Sequence, residues 1–280
     1  ADQSGSRRVA GETMMLGNIT LGQYYPTTSF MHSLDPRTKI LCTMIFIVGI
    51  FLADTWVAYG VVTAFVLLGI ALSNLPLSLI WKAVKPLWII IVFTMVIHVF
   101  TTPGTLVWQW GWLHVTEEGL RQGTMMTMRL VYLISFSALL TYTTSPIVLT
   151  DGIEQLLNPF RGIGVPAHEL AMMMTIALRF IPTLLQETER IMKAQKARGA
   201  DFESGNLIRR GKALVPLMVP LFVSAFRRAD ELATAMEARC YRGGENRTRL
   251  HELHYEKVDM VAFAATVAVV LVLGILRWLH

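Results

Sequence analysis

Apolar and polar positions divide this chain into two unlike regions. In the first, long apolar runs alternate with short breaks: Thr38–Ala53, Trp56–Ser73, Pro86–Phe100 and Thr124–Tyr142. A fifth run, Val258–Trp278, closes the chain. A membrane-crossing helix needs about 20 apolar residues. The pattern therefore predicts five spans, of which Thr38–Ala53 is short for the task. The breaks carry their own signals. Asp54-Thr55 is brief enough only for a hairpin turn between two spans. Asn74–Lys85, with Pro76, Trp81, Lys82 and Lys85, reads as an interfacial helix. Thr101–Gly119 reads as a loop with Pro103, Gly104, Gly111 and the tryptophans 108, 110 and 112, a residue that favours the headgroup level. Ahead of the first span, Asn18–Leu34 is polar and aromatic and suits the membrane interface. Asp35 can then cap a helix whose first position is Pro36.

Between the fourth and fifth runs the pattern changes to mixed helical periodicity. A short helix is expected over Asp151–Asn158, broken by Pro159 and the Gly162-Ile163-Gly164 turn. A second is expected over Pro166–Phe180. Pro182 then starts or kinks a long helix to Arg198, where Gly199 offers a left-handed cap. Asp201–Gly205 reads as a turn, Leu207–Arg242 as a helix bent near Pro216 and Pro220, and Glu245–Tyr255 as charged linker. Residues 213–226 are almost continuously apolar, yet too short and too interrupted by proline for a span. They read as a buried or membrane-surface helix. A sixth span there is the competing reading, and it would put the two ends of the region on opposite sides of the membrane.

Composition agrees with the pattern. Apolar residues make up 53% of the 280 positions, charged ones 16%, and mean hydropathy is +0.48, against about 25% charge in a soluble domain. The expected fold is an all-α integral membrane protein with about five transmembrane helices and a coupling domain of long crossing helices, cytoplasmic or on the membrane surface. Residues 1–13 look like an expression remnant. Residues 14–144 form the N-terminal membrane domain, 145–257 the coupling domain and 258–280 the last transmembrane helix. Basic residues flank 34–39, 74–86 and both ends of 145–257, which puts the N-terminus and the coupling domain in the cytoplasm. Arg277, at the far end of the last span, breaks that charge pattern. The net charge of +5 does not point to nucleic acid, because the basic residues of 145–257 are interleaved with acids.

Sites for chemistry are sparse. No Gly-rich phosphate loop is present, so no way to bind ATP is visible. His168-Glu169 lacks a second histidine, and His251-Glu252-Leu253-His254 has the wrong spacing for a zinc helix. Cys42 lies in an apolar run and Cys240 in the polar region, so no disulfide is expected. Arg129 is the clearest charge inside a span and is a functional candidate by default, against the plainer reading that it snorkels or pairs with a neighbouring carboxylate. His98 reads as a packing residue. The methionines at 125, 126, 128 and 172–174 read as core filler, or as a surface for several partners.

Two tripeptides stand out in this setting. Ala197-Arg198-Gly199 and Ala238-Arg239-Cys240 lie 41 residues apart, each near a helix end. An arginine there is favoured by the helix dipole and is most often a solvated cap. Here small neighbours clear space around each guanidinium, so the helix end could enter a groove and bind carboxylates or carbonyls through its planar fork. Two such plugs suit a two-lobed partner.

These residues carry a resemblance to a known family. The segments Asn18–Lys39 (NITLGQYYPTTSFMHSLDPRTK), Ala194–Arg210 (AQKARGADFESGNLIRR) and Ala225–Arg249 (AFRRADELATAMEARCYRGGENRTR) are similar to those of the transmembrane (T) component of energy-coupling factor (ECF) transporters. The second signature departs from the family, with Cys240 in place of glycine. The docking role survives that change, and the glycine cap is expected to move to Gly243-Gly244 with a helix up to a turn longer. The resemblance implies a scaffold that is not itself an enzyme. Two partner ATPases would bind the ATP, and the helix ends at Arg198 and Arg239 would dock into them. A small substrate-binding (S) component, one of several interchangeable ones or a dedicated one, would pack on apolar helix surfaces and deliver a vitamin or other micronutrient. The rivals are a conventional ABC permease with its own polar path and an intramembrane enzyme; both need convergent polar groups in the spans.

Overall fold

A computed structural model describes residues 24–110, 113–200, 202, 207–243 and 253–279. Residues 1–13, the turn expected at Asp201–Gly205 apart from residue 202, most of the linker expected at 245–255 and His251-Glu252 lie outside these described residues. The chain divides into two compact units, residues 1–152 with 251–280, and residues 153–250.

The first unit is built of helices tied at their ends. A single turn, α1 (Phe30–Ser33), precedes α2 (Pro36–Gly49). The Asp35 side chain accepts from the Arg37 amide and caps α2, with Pro36 in its first turn. Helix α2 tightens into a 3₁₀ turn over Ile50–Leu52 and then turns through 53–55 into α3 (Trp56–Ser73), capped by Thr55. Next come α4 (Leu77–Val84), a 3₁₀ turn over Lys85–Leu87 and α5 (Trp88–Thr101). A hairpin of β1 (Leu106–Trp110) and β2 (Leu113–Thr116) pairs Trp108 with Val115 and Trp110 with Leu113. Helix α6 (Glu117–Thr143) follows, then the first half of α7 (Pro146–Leu157), whose second half belongs to the other unit, and α10 (Lys257–Trp278) completes the first.

The core of this unit is aromatic and β-branched. Phe46 stacks on Phe136 at 4.1 Å between ring centroids, with Phe65 at 5.8 Å from both. Tyr59, Val62 and Val66 of α3 close around them, fully or nearly fully buried. Thr63 and Tyr132 share a 2.6 Å hydroxyl bond between α3 and α6. Helices α5 and α6 approach closely because Gly119 and Gly123 carry no side chains. A Cβ on Gly119 would stand 2.8 Å from the His98 carbonyl oxygen, and one on Gly123 would stand 3.0 Å from the Met95 sulfur. This is small-residue spacing at four positions, the usual device by which membrane helices pack tightly.

Five segments among the described residues are long and apolar enough to cross a membrane: Trp56–Ser73, Leu77–Thr101, Glu117–Thr143, Ala167–Ala197 and Lys257–Trp278. The expected number is met with a different membership. Helix α2, even with its 3₁₀ turn, spans only about 25 Å at 1.5 Å per residue. Ala167–Ala197, expected in the coupling domain, joins the five on length and composition only, which leaves its expected place outside the spans untouched. The segment expected as a separate interfacial helix over Asn74–Lys85 instead runs on through 85–87 into α5, because Pro86 falls in a first turn, where its missing amide costs nothing. The loop expected at 101–119 contains the β-hairpin and the first turn of α6.

In the second unit the long helices are α8 (Ala167–Ala197) and α9 (Leu207–Ala238). Helix α8 is continuous through Pro182, where two helices were expected. Helix α7 begins at Pro146, five residues before the expected Asp151. A six-residue 3₁₀ segment, Asn158–Ile163, then ends on Gly164 in the left-handed region.

Candidate functional site

The two arginine motifs end α8 and α9 with the same backbone device. In α8 the Gly199 amide donates to the Lys196 carbonyl and the Ala200 amide to the Gln195 carbonyl, both at 3.0 Å. In α9 the Cys240 amide donates to Glu237 at 2.9 Å and the Tyr241 amide to Met236 at 3.0 Å. Each is a Schellman closure, with a six-to-one and a five-to-two bond around one left-handed residue. That residue is Gly199 (φ +87°) in one and Cys240 (φ +55°) in the other. Every partner in the second set lies 41 positions after its counterpart in the first. The expectation that the cap moves to Gly243-Gly244 is therefore corrected. Helix α9 stops at Ala238, and Cys240 takes the left-handed position itself, at a cost of about 1–2 kcal/mol for a residue with a Cβ. Ala197, Arg198 and Gly199 are exposed, and so are Ala238, Arg239 and Cys240.

The contacts between α8 and α9 fix their sense. Near its start α8 places His168 Nε2 3.4 Å from the Tyr241 hydroxyl, just past the end of α9. Near its middle Glu187 accepts from the Ser224 hydroxyl at 2.6 Å and from Arg228 at 3.0 Å. Positions rising along α8 meet positions falling along α9, so the pair is antiparallel. The two arginines consequently lie at opposite ends of the pair, eleven residues beyond Glu187 and eleven beyond Arg228. Straight helices give about 33 Å between them at 1.5 Å per residue.

A second feature of this unit is uncovered apolar surface. On α9, Val215, Met218, Val219, Phe222, Val223 and Phe226 recur at helical spacing, and all are exposed. On α8, Leu170, Met173, Met174 and Ile181 are exposed as well. A stripe of this kind faces lipid or a partner.

The candidates for other chemistry are engaged in structure. Arg129 donates to the Ala53 carbonyl at 2.9 Å and pairs with Asp54 at 3.6 Å, taking the pairing alternative over snorkelling. Arg277 reaches the same turn, 3.4 Å from Asp54 and 3.3 Å from the Phe51 carbonyl. The basic residue that broke the charge pattern thus ties α10 to the 51–54 turn. His98 bonds the Thr94 carbonyl of its own helix. His168 Nδ1 lies 2.9 Å from Glu154. Among the described residues no group of three or more His, Cys, Asp or Glu side chains is placed to hold a metal. Cys42 is buried and Cys240 exposed, and both are free thiols.

Sequence reasoning missed the staple at the opposite end of the first unit. Asp259 accepts from the Asp35 amide at 2.8 Å and the Glu256 amide at 2.9 Å, joining the starts of α2 and α10. Arg37 completes it, donating to Asp35 at 2.8 Å and to the Leu253 carbonyl at 3.1 Å, with its guanidinium 3.8 Å over the Tyr255 ring. Lys39 is buried and donates to the carbonyls of His32 and Thr143. His32 in α1 is held below its usual pKa, chiefly by burial. The neutral ring fits its contacts, with Nε2 3.0 Å from the Tyr25 carbonyl and Nδ1 2.7 Å from the Ser29 hydroxyl. The only sequence signal for the staple was an acid in the first turn of the last span.

Five helices long and apolar enough to cross a membrane, in a chain that is almost wholly helical, define an all-α membrane protein. The comparisons with known proteins agree. The family model described as cobalt transport protein (CbiQ) matches residues 27–251. Curated relatives called energy-coupling factor transporter transmembrane protein EcfT include one from Acidaminococcus fermentans, 60% identical over 264 residues, covering 94% of this chain and 98% of that protein. Those from Thermosediminibacter oceani (58% identical, 89% and 94% covered) and Bacillus subtilis (47% identical, 94% and 100% covered) are similar over nearly their whole length. The chain belongs to this family and is a transmembrane component of an energy-coupling factor transporter.

Proposed function

We propose that the chain couples ATP hydrolysis in two partner ATPases to substrate movement in a separate membrane-bound S component. The observation that carries this reading is the matched pair of Schellman-closed helix ends, each presenting an exposed arginine. Two equivalent plugs about 33 Å apart on an antiparallel pair suit two related grooves on a paired partner. ATP is bound by those partners, and this chain holds no cofactor. Closure of the ATPase pair would draw on both helix ends at once. The exposed apolar stripes of α8 and α9 offer a surface on which a small apolar S component packs, carrying a vitamin or another micronutrient. The N-terminus and residues 145–257 lie on the cytoplasmic side, where ATPases are found.

The test is detergent extraction of the native complex, with the double variant Arg198→Ala/Arg239→Ala beside the parent. The parent should bring down two ATPase subunits and one or more small apolar proteins. The variant should insert in the membrane and lose the ATPases. Retention of the ATPases and of normal uptake by the variant overturns the docking assignment.

A further inference from the structure

The 41-residue repeat extends beyond the helix ends. Glu187 and Arg228 are themselves 41 positions apart, and they touch each other at 3.0 Å. When a residue contacts its own equivalent in an antiparallel pair, the contact lies on the local twofold axis that exchanges the two halves. From that contact the chain runs eleven residues to Arg198 along α8 and eleven to Arg239 along α9. Neither stretch, Glu187–Arg198 or Arg228–Arg239, contains glycine or proline. The prolines lie on the other side of the contact, Pro182 in α8 and Pro216 and Pro220 in α9. Each proline removes one backbone bond and lets its helix bend. Two stiff arms of equal length, about 16 Å each, therefore diverge from one polar contact, while the more pliable stretches lie behind it. The contact is well made. Ser224 is buried, its bond to Glu187 is 2.6 Å, and the Arg228 and Glu187 side chains are only 34% and 25% exposed.

We propose that Glu187, held by Ser224 and Arg228, is the fulcrum of the two helices: a positioning residue that keeps both docking arginines at equal reach, so that force on one arm is transmitted to the other. This rests on the coupling reading above. A pair held only by apolar packing could slide along its stripe and shorten one arm as it lengthened the other. A bidentate acid on the axis fixes the register.

The experiment uses the full chain carrying Ala194→Cys and Ala235→Cys, equivalent exposed positions seven residues from the contact, with Cys240→Gly to clear the exposed native thiol. Spin labels at the two cysteines report the separation of the arms, and the co-purified ATPases are quantified on the same samples. The parent should give one narrow distance. Glu187→Ala should keep the ATPases bound but widen the distribution about twofold, since the arms no longer share a fixed point. The swap Glu187→Arg/Arg228→Glu should restore the narrow distance. An unchanged width in Glu187→Ala overturns the fulcrum. A width that the swap does not narrow also overturns it, because lost packing and not the ion pair would then be the cause. Absence of ATPases from the unsubstituted chain, purified alongside, fells the coupling reading instead, and the widths still decide whether Glu187 sets the register.

Discussion

The two units differ in where their polar groups find partners. In the first unit the charged groups bond to one another and to backbone groups of the same unit. Asp259 closes the starts of α2 and α10, Arg37 covers that junction, and Arg129 and Arg277 converge on the turn at Asp54. In the second unit the internal contacts at Glu187 and His168 stand beside two exposed arginines and two uncovered apolar stripes. The first unit is stabilised by what it contains. The second is shaped for what it meets. A scaffold that must stay assembled while its partners move needs both kinds of construction.

The sharpest way to break the contrast is to remove the outward arginines. Arg198→Ala/Arg239→Ala should weaken ATPase binding by about 2 kcal/mol per arginine, roughly a thousandfold together, while thermal unfolding of the isolated chain stays within a degree or two. A large fall in melting temperature would mean that the arginines serve the fold. The inverse case is Asp259→Ala. It leaves two amides at a buried junction without their acceptor and should cost about 3 kcal/mol, read as a lower unfolding midpoint in detergent, with ATPase binding by surviving protein unchanged. Gly119→Val should cost about 2 kcal/mol through overpacking against the α5 carbonyls, measured the same way, and again without a docking defect. The smallest effect has the opposite sign. Cys240→Gly removes the left-handed strain at the end of α9 and should stabilise that helix end by about 1 kcal/mol, visible as slower amide exchange at Cys240 and Tyr241. If it weakens ATPase binding instead, the cysteine side chain contributes to docking.

The all-α membrane class, the number of spans and the position of both arginine motifs were legible in the sequence, because each depends on local composition. Apolar runs declare themselves by length, and a small residue after the last helical turn declares a cap. Assignments that depended on competition between segments were less legible. The run at 38–53 is short for a span, and length and composition alone rank Ala167–Ala197 above it. Pro182 looked like a boundary, yet the helix passes through it. The second cap was expected three or four residues late because glycine is the usual left-handed residue, and the structure puts Cys240 there instead.

The sequence by itself determined that this protein lives in a membrane, carries two equivalent helix ends and resembles a transporter scaffold. Hydropathy and spacing are properties of neighbouring residues, so they survive without a fold. Tertiary structure alone decided that α8 and α9 run antiparallel, that Glu187 meets its own counterpart Arg228, and that Asp259, Arg129 and Arg277 serve as staples. Each of those facts joins positions 37 to 226 residues apart, and only packing of distant helices brings such groups within hydrogen-bonding distance.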